Sequence, residues 1–308
     1  MTTLASRTQP AQQIESRSWI QRHPLVAYFV IAFVGAWALV IPLAMSTGFN
    51  MFPMPDPVLM LLFVISAYPG PFLAALVVTR AVEGKEGARR LWKRVFQFRA
   101  GLRWYLVALF IMMVIWLAAY SIPYRGAPIR DLLANPMLLI SVFLPWIGFG
   151  LFVPSLSEEI GWRGFALPRL QNQYGPLVGT LILGMLHGLW HIPALFTAFM
   201  GPMNPDQVLP FVIAAAAGTF IYTWVYNNTR GSIWMVILMH AASNATSRVL
   251  SEIMPVDAAL PAPFHIISPD WYNAVAFILA AVILVIATRG RLGYRQDAEP
   301  NTAAKQAS

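Results

Sequence analysis

The sequence contains no cysteine, so disulfide bonds and thiol catalysis play no part in this protein. Charge is also scarce: only 11% of the 308 residues are Asp, Glu, Lys or Arg, whereas soluble domains carry about 25%. Hydrophobic residues, by contrast, make up 58% of the chain. These proportions exclude an ordinary soluble domain and predict an all-α polytopic membrane protein.

Eight apolar segments are long enough to cross a bilayer, which takes about 17–25 residues. They cover residues 25–45, 58–79, 104–120, 137–156, 176–200, 208–226, 231–247 and 272–288. The second segment contains Pro69-Gly70-Pro71, which predicts a kink or break. We therefore expect about eight transmembrane helices.

The chain divides into three parts by composition. Residues 1–22 are polar and predict a disordered cytosolic tail, with no small-residue cleavage site after a short apolar core. Residues 23–290 form the transmembrane domain, and residues 291–308 predict a second disordered cytosolic tail.

The basic residues are distributed unevenly across the predicted topology. If the N-terminus is cytosolic, all but three of the 21 Lys and Arg residues fall on the cytosolic side, and the exceptions are Arg125, Arg130 and Arg248. Cytosolic loops carry such an excess. We predict that both termini are cytosolic and that the protein lies in the cell (inner) membrane.

The predicted cytosolic segment 80–103 is unusually basic, with eight Lys and Arg residues. Leu91, Trp92, Val95 and Phe96 alternate with them, so we expect an amphipathic helix on an anionic lipid leaflet. The position beside a membrane span accounts for the charge, so we expect no nucleic-acid partner.

Two adjacent carboxylates follow the fourth predicted span. An ionisable residue at membrane depth is a functional-site hypothesis by default. On a helix, Glu159 and Arg163 lie on one face and predict an ion pair, whereas Glu158 points about 100° away and has no partner on its own helix. We expect this helix to run to about Phe165 and to end at Pro168, with Glu158 inside a cytosol-facing cavity between helices.

Two other spans carry polar pairs at helical spacing. His187 and His191 share a face of the fifth span, and His240 and Asn244 share a face of the seventh. Each pair alone could serve helix packing. Three spans that each offer groups for proton transfer favour a catalytic site instead.

Two kinds of chemistry suit these groups. A carboxylate beside an imidazole can activate water, and a His N–H with an Asn amide can stabilise an oxyanion. Alternatively, Glu158, His191 and His240 could hold Zn²⁺ with water in an open position. The H-E-x-x-H pattern of common zinc proteases is absent. Because Asn244 beside His240 suits an oxyanion hole better than a fourth metal ligand, the metal-free mechanism is preferred.

The polar residues resemble the three motifs of the CPBP family, which includes type II CAAX prenyl proteases and the bacteriocin-processing or abortive-infection proteins. The matching residues are Glu158-Glu159-x-x-x-Arg163, His191 with Pro193, and His240-x-x-x-Asn244. The resemblance covers residues 58–249 and departs at His187, where the family usually has an aromatic residue.

The resemblance implies an intramembrane endopeptidase that cleaves a membrane-associated peptide or protein. It implies that Glu158 activates water with His191, and that His240 and Asn244 form the oxyanion side. The alternative is a transporter or scaffold that keeps a proton-binding cluster. A transporter more typically shows inverted repeats, and the sequence contains no internal repeat.

The topology can be tested by single-cysteine labelling, because the native chain offers no background thiol. We expect cysteines at four predicted external positions to react with a membrane-impermeant reagent added from outside: Thr47, Gly126, Asp206 and Pro255. Labelling of these positions from the cytosolic side alone would contradict the predicted orientation.

Overall fold

The computed structural model describes residues 18–66, 68–200, 204–254 and 268–295. Within these ranges all regular structure is helical. The α-helices are α1 (Trp19–Arg22), α2 (Pro24–Thr47), α3 (Asp56–Ser66), α4 (Leu73–Val95), α5 (Leu102–Ser121), α6 (Ala127–Ala134), α7 (Leu144–Gly150), α8 (Leu156–Gly161), α9 (Leu167–Trp190), α10 (Ile192–Leu195), α11 (Val208–Asn228), α12 (Ile233–Ile253) and α13 (Pro269–Ala287). Short π-helical turns occupy Tyr68–Phe72, Leu139–Phe143, Leu151–Ser155 and Trp162–Ala166.

Six helical stretches among the described residues are long and apolar enough to cross a membrane. One of them, Leu139–Trp190, covers most of the predicted fourth span and the predicted fifth span as far as Trp190. Helix α12 covers the predicted seventh span but is not among the six. The all-α polytopic prediction is confirmed, and the number eight stays a prediction.

Two helices are interrupted close to each other. Gly70 has non-helical backbone angles (φ −78°, ψ −119°), as the Pro-Gly-Pro sequence predicted. A second interruption, at Val153 (φ −136°, ψ 116°), was not predicted. The two segments are linked, since the Tyr68 hydroxyl donates to the Phe152 carbonyl over 2.9 Å. Irregular backbone at membrane depth is tolerated where it is buried in protein or lines a cavity.

The helix that carries the two carboxylates is longer than predicted. It continues past Pro168 to Gly175, so the predicted end at Pro168 is wrong. Pro168 lies in the first turn of α9, directly after a π-helical turn, where its missing N–H is tolerated.

Gly175, with φ 77°, then reverses the chain. A Cβ on Gly179 would lie 2.7 Å from the Leu170 carbonyl carbon, so the two arms of this hairpin are in close contact. The paths from Glu158 to Gly175 and from Gly175 to His191 are both about 25 Å at 1.5 Å per residue. The equal arms place His191 at the depth of Glu158.

The basic segment is helical as far as Val95, with a break at Gly84 (φ 66°, ψ −157°). Leu91 and Val95 are buried inside the protein, so the prediction that they face lipid is wrong. A Cβ on Gly164 would lie 2.8 Å from Leu91 Cδ1, which shows that Leu91 packs on the chain just after the carboxylates. Phe96 is 63% exposed.

The predicted tails lie mostly outside the described residues, in 1–17 and 296–308. The structure describes only the inner ends of the tails, residues 18–22 and 291–295, and the predicted disorder of the tails stays a prediction. Ser18 caps α1 through a reciprocal capping box with Gln21. Leu292 is fully buried, and its carbonyl accepts a hydrogen bond of 3.0 Å from the Asn227 amide. The labelling position Pro255 is also outside the described ranges.

Small residues allow α9 and α11 to pack closely. A Cβ on Gly184 would lie 2.7 Å from Ala216 Cα, and one on Gly188 would lie 3.0 Å from Val212 Cα. Spacing of small residues by four positions brings helix backbones together in membranes. This contact positions the fifth predicted span, which carries His187 and His191.

The Gly184 contact predicts a stability difference between two equivalent substitutions. Gly184→Ala should destabilise the protein by about 1–3 kcal/mol, because the new methyl group meets backbone atoms of α11 that cannot easily move. The matched control is Gly148→Ala, since a Cβ there meets nothing within 4 Å. Thermal unfolding in detergent measures both, and equal melting temperatures would contradict the packing argument.

Candidate active site

The two adjacent carboxylates lie on α8 inside the protein. Glu158 is 2% exposed, Glu159 is fully buried and Arg163, in the following π-helical turn, is 1% exposed. Arg163 Nη1 donates to Glu159 Oε1 over 2.9 Å. The predicted ion pair between Glu159 and Arg163 is therefore present.

Arg163 also contacts α11. Its Nη2 donates to Thr219 Oγ1 over 3.3 Å, and its guanidinium lies 4.4 Å from the centre of the Tyr222 ring. The Arg163 guanidinium therefore has three contacts, with Glu159 on α8 and with Thr219 and Tyr222 on α11, and these fix its orientation.

Glu159 has a second partner that the sequence did not predict. His240, on α12, places Nδ1 2.9 Å from Glu159 Oε1, the same oxygen that accepts from Arg163. With Nδ1–H donated to Glu159, the His240 ring has a fixed orientation and its Nε2 remains available. Asn244 is half-buried one turn further along α12, on the same face as His240.

Glu158 is partnered by the fifth predicted span. His187 Nε2 lies 2.9 Å from Glu158 Oε2, and His191 Nε2 lies 3.9 Å from Glu158 Oε1. His191 was the predicted partner, and the structure brings it to the carboxylate, but His187 is closer. The spacing of four between the two histidines already placed them on one face, which is the signal that could have identified His187.

Aromatic residues enclose the two imidazoles. The Trp162 ring centre lies 5.1 Å from that of His187, and the Trp190 ring centre lies 4.8 Å from that of His191. Trp190 is fixed in turn, because its indole N–H donates to the Ala32 carbonyl over 3.1 Å. Helix α2 therefore helps to position the histidines through Trp190.

Three side chains are close enough to share a metal ion. The ligand atoms of Glu158, His187 and His191 all lie within 4.8 Å of one another. Carboxylate oxygen and imidazole nitrogen are ordinary Zn²⁺ ligands, so the donor set fits that ion chemically. The predicted candidates were Glu158, His191 and His240, and in the structure His240 contacts Glu159 instead.

Known proteins are similar to the part of the chain that carries these residues. Residues 139–246, which contain every residue of the three motifs, match the family model described as Type II CAAX prenyl endopeptidase Rce1-like. The chain is also 23% identical over 199 residues to CAAX prenyl protease 2 of Methanococcus maripaludis, covering 62% of this chain and 73% of that protein. Together with the buried Glu, His and Asn residues, both similarities support the assignment of this chain to the CPBP family of membrane proteases.

Proposed function

We propose that the protein is an intramembrane endopeptidase that hydrolyses a peptide bond of a membrane-associated protein or peptide. The observation that carries the proposal is the buried Glu158 carboxylate in contact with two imidazoles. A buried carboxylate with imidazole partners is a means of moving protons to and from water. The family match over the same residues supports this reading.

Glu158 and His191 are the proposed water-activating pair. His187 donates Nε2–H to Oε2 of Glu158 and leaves Oε1 directed at His191. A water held between Oε1 and His191 loses a proton to Glu158 as its oxygen attacks the substrate carbonyl carbon. The proton then passes to the amine nitrogen as the C–N bond breaks.

His240 and Asn244 are proposed to stabilise the oxyanion of the tetrahedral intermediate. A protonated His240 donates Nδ1–H to Glu159 and presents Nε2–H to the oxyanion, and the Asn244 amide supplies a second donor. Glu159 and Arg163 hold His240 in place rather than contacting the reacting atoms. The two adjacent carboxylates therefore have different tasks.

The substrate class can be tested by peptide cleavage. The matched relative is named a CAAX prenyl protease, so peptides that end in a prenylated cysteine motif are the first class to test. The panel should also contain the same peptides without the lipid, and peptides anchored by a transmembrane segment. Cleavage products from protein reconstituted in liposomes are identified by mass spectrometry, and folded protein that cleaves nothing in the panel counts against the proposal.

The first variant test concerns Glu158. Glu158→Gln should leave the protein folded and lower turnover by about 10²–10⁴-fold, the usual contribution of a general base. Glu86→Gln makes the same chemical change at an exposed position and should leave turnover unchanged. Initial rates on a cleaved peptide, with melting temperatures of both variants, provide the measurement.

The second variant test concerns Glu159 and Arg163. Glu159→Ala leaves Arg163 buried without its carboxylate, which should cost about 3–5 kcal/mol of stability. The double variant Glu159→Ala with Arg163→Ala should recover part of that loss. Thermal unfolding separates these effects from catalysis.

A reversed result would change the assignment. If Glu158→Gln keeps native turnover while Glu159→Gln is inactive at normal melting temperature, Glu159 is the catalytic carboxylate. Arg163 would then tune that carboxylate rather than stabilise the helix.

A further inference from the structure

We propose that Tyr222 is a positioning residue of the active site, whose ring orients the Arg163 guanidinium and the His240 imidazole around Glu159. Tyr222 lies on α11, a helix that carries no residue of the three motifs. The inference rests on the proposed function, because it deepens the role given there to His240, but part of its test does not depend on turnover.

Tyr222 faces the interior of the protein although the membrane would accept its ring elsewhere. It is 8% exposed and lies on the helix that packs against α9. Lipid tails are as apolar as a leucine side chain, so hydrophobicity alone does not drive a residue from lipid into the protein. Specific contacts of the ring must therefore account for a buried tyrosine at this place.

The first contact of the ring is with Arg163. The guanidinium carbon lies 4.4 Å from the centre of the Tyr222 ring, well within the range of about 6 Å for a cation–π interaction. Thr219, three positions earlier on the same face of α11, accepts a hydrogen bond of 3.3 Å from Arg163 Nη2. One face of α11 thus holds the guanidinium with two side chains.

The second contact of the ring is with His240. The two ring centres lie 6.1 Å apart and the ring planes are inclined by 82°, an edge-to-face arrangement that aromatic pairs prefer. His240 Nδ1 also lies 2.9 Å from Glu159 Oε1. One hydrogen bond does not fix the plane of an imidazole, and the direction of Nε2 depends on that plane. The Tyr222 ring supplies the second contact that defines it.

The charges around Glu159 give the ring a further effect. Arg163 Nη1 and His240 Nδ1 each lie 2.9 Å from the same oxygen, Glu159 Oε1. In the proposed mechanism His240 is protonated, so two cations share one oxygen and repel each other in a medium of low dielectric constant. The face of an aromatic ring attracts a cation, so Tyr222 stabilises Arg163 in this arrangement.

The hydroxyl end of Tyr222 reaches α12 as well. Its hydrogen-bond partner is the side chain of Ser243, the residue before Asn244. Tyr222 therefore connects α11 to both parts of the proposed oxyanion side. It acts on these groups rather than on the substrate, so its role is positioning and not catalysis.

Steady-state kinetics on a cleaved peptide provide the first test. Tyr222→Leu should lower kcat by about 10–100-fold with KM little changed, because a misdirected oxyanion donor weakens only the transition state. Tyr222→Phe keeps the ring and should retain turnover within about threefold. The matched control is Tyr120→Leu, which removes a half-buried ring that stacks on Trp116 in α5 and should leave turnover unchanged.

A double variant shows whether Tyr222 acts through His240. In a His240→Ala background, Tyr222→Leu should have little further effect on kcat, since coupled residues are not additive. Multiplied losses would contradict that coupling, and a loss in Tyr222→Phe equal to that in Tyr222→Leu would overturn the role of the ring. Melting temperatures confirm folding, and Tyr222→Met replaces Tyr222→Leu if the latter does not fold.

The hold on His240 can also be measured without a substrate. In full-length protein labelled with ¹⁵N-histidine, NMR follows the exchange of the His240 Nδ1 proton with water, and its signal is assigned by its absence in His240→Ala. Tyr222→Leu should speed this exchange at least about tenfold, because a ring that is no longer held leaves Glu159 more often. Tyr222→Phe should exchange as the wild type does.

The two measurements keep this inference separate from the protease proposal. Wild-type protein that cleaves peptide, with Tyr222→Leu equal to it in kcat and in proton exchange, refutes the positioning role and leaves the protease proposal intact. Wild-type protein that cleaves nothing, with faster exchange in Tyr222→Leu, supports the hold on His240 and counts against the protease proposal.

Discussion

Two carboxylates buried side by side in an apolar helix are the constraint on which the rest of the structure depends. Each negative charge requires compensation in a medium that supplies none. The two carboxylates have different partners: Glu159 pairs with Arg163 from the same stretch of helix, whereas Glu158 contacts imidazoles from another helix. The long α8–α9 hairpin, the close α9–α11 contact and the placement of α12 all serve to bring these partners to the right depth.

The separation of tasks follows from the same arrangement. Glu159 contacts both the Arg163 guanidinium and His240, whereas Glu158 contacts two imidazoles, which carry a charge only when they are protonated. Glu158 and Glu159 are adjacent in the sequence but have different partners, because successive side chains on a helix point about 100° apart.

The parts of the site that could be predicted are those set by one helix. The Glu159–Arg163 pair depends only on a spacing of four, and it is present. The contact between His240 and Glu159 joins residues 81 apart and depends on how two helices are rotated against each other, so spacing could not reveal it. The preference for His191 over His187 used local sequence context, but the distance to Glu158 is decided by the rotation of α9.

Backbone irregularities were predicted unevenly for a similar reason. The Pro69-Gly70-Pro71 sequence predicted a helix break, and the structure has non-helical backbone angles at Gly70. Pro168 was expected to end its helix, but a preceding π-helical turn accommodates it in the first turn of α9. The real end is at Gly175, where a positive φ is needed for the reversal.

The basic segment is attached to the turn that follows the carboxylates. The Arg94 guanidinium donates to the Gly164 carbonyl, and Glu83 accepts from Arg169, which also donates to the Phe165 carbonyl over 2.8 Å. These bonds join the basic segment directly to the chain that follows the two buried carboxylates. A change at Arg94 or at Glu83 would therefore reach the helix that carries Glu158 and Glu159 through the backbone of Gly164 and Phe165.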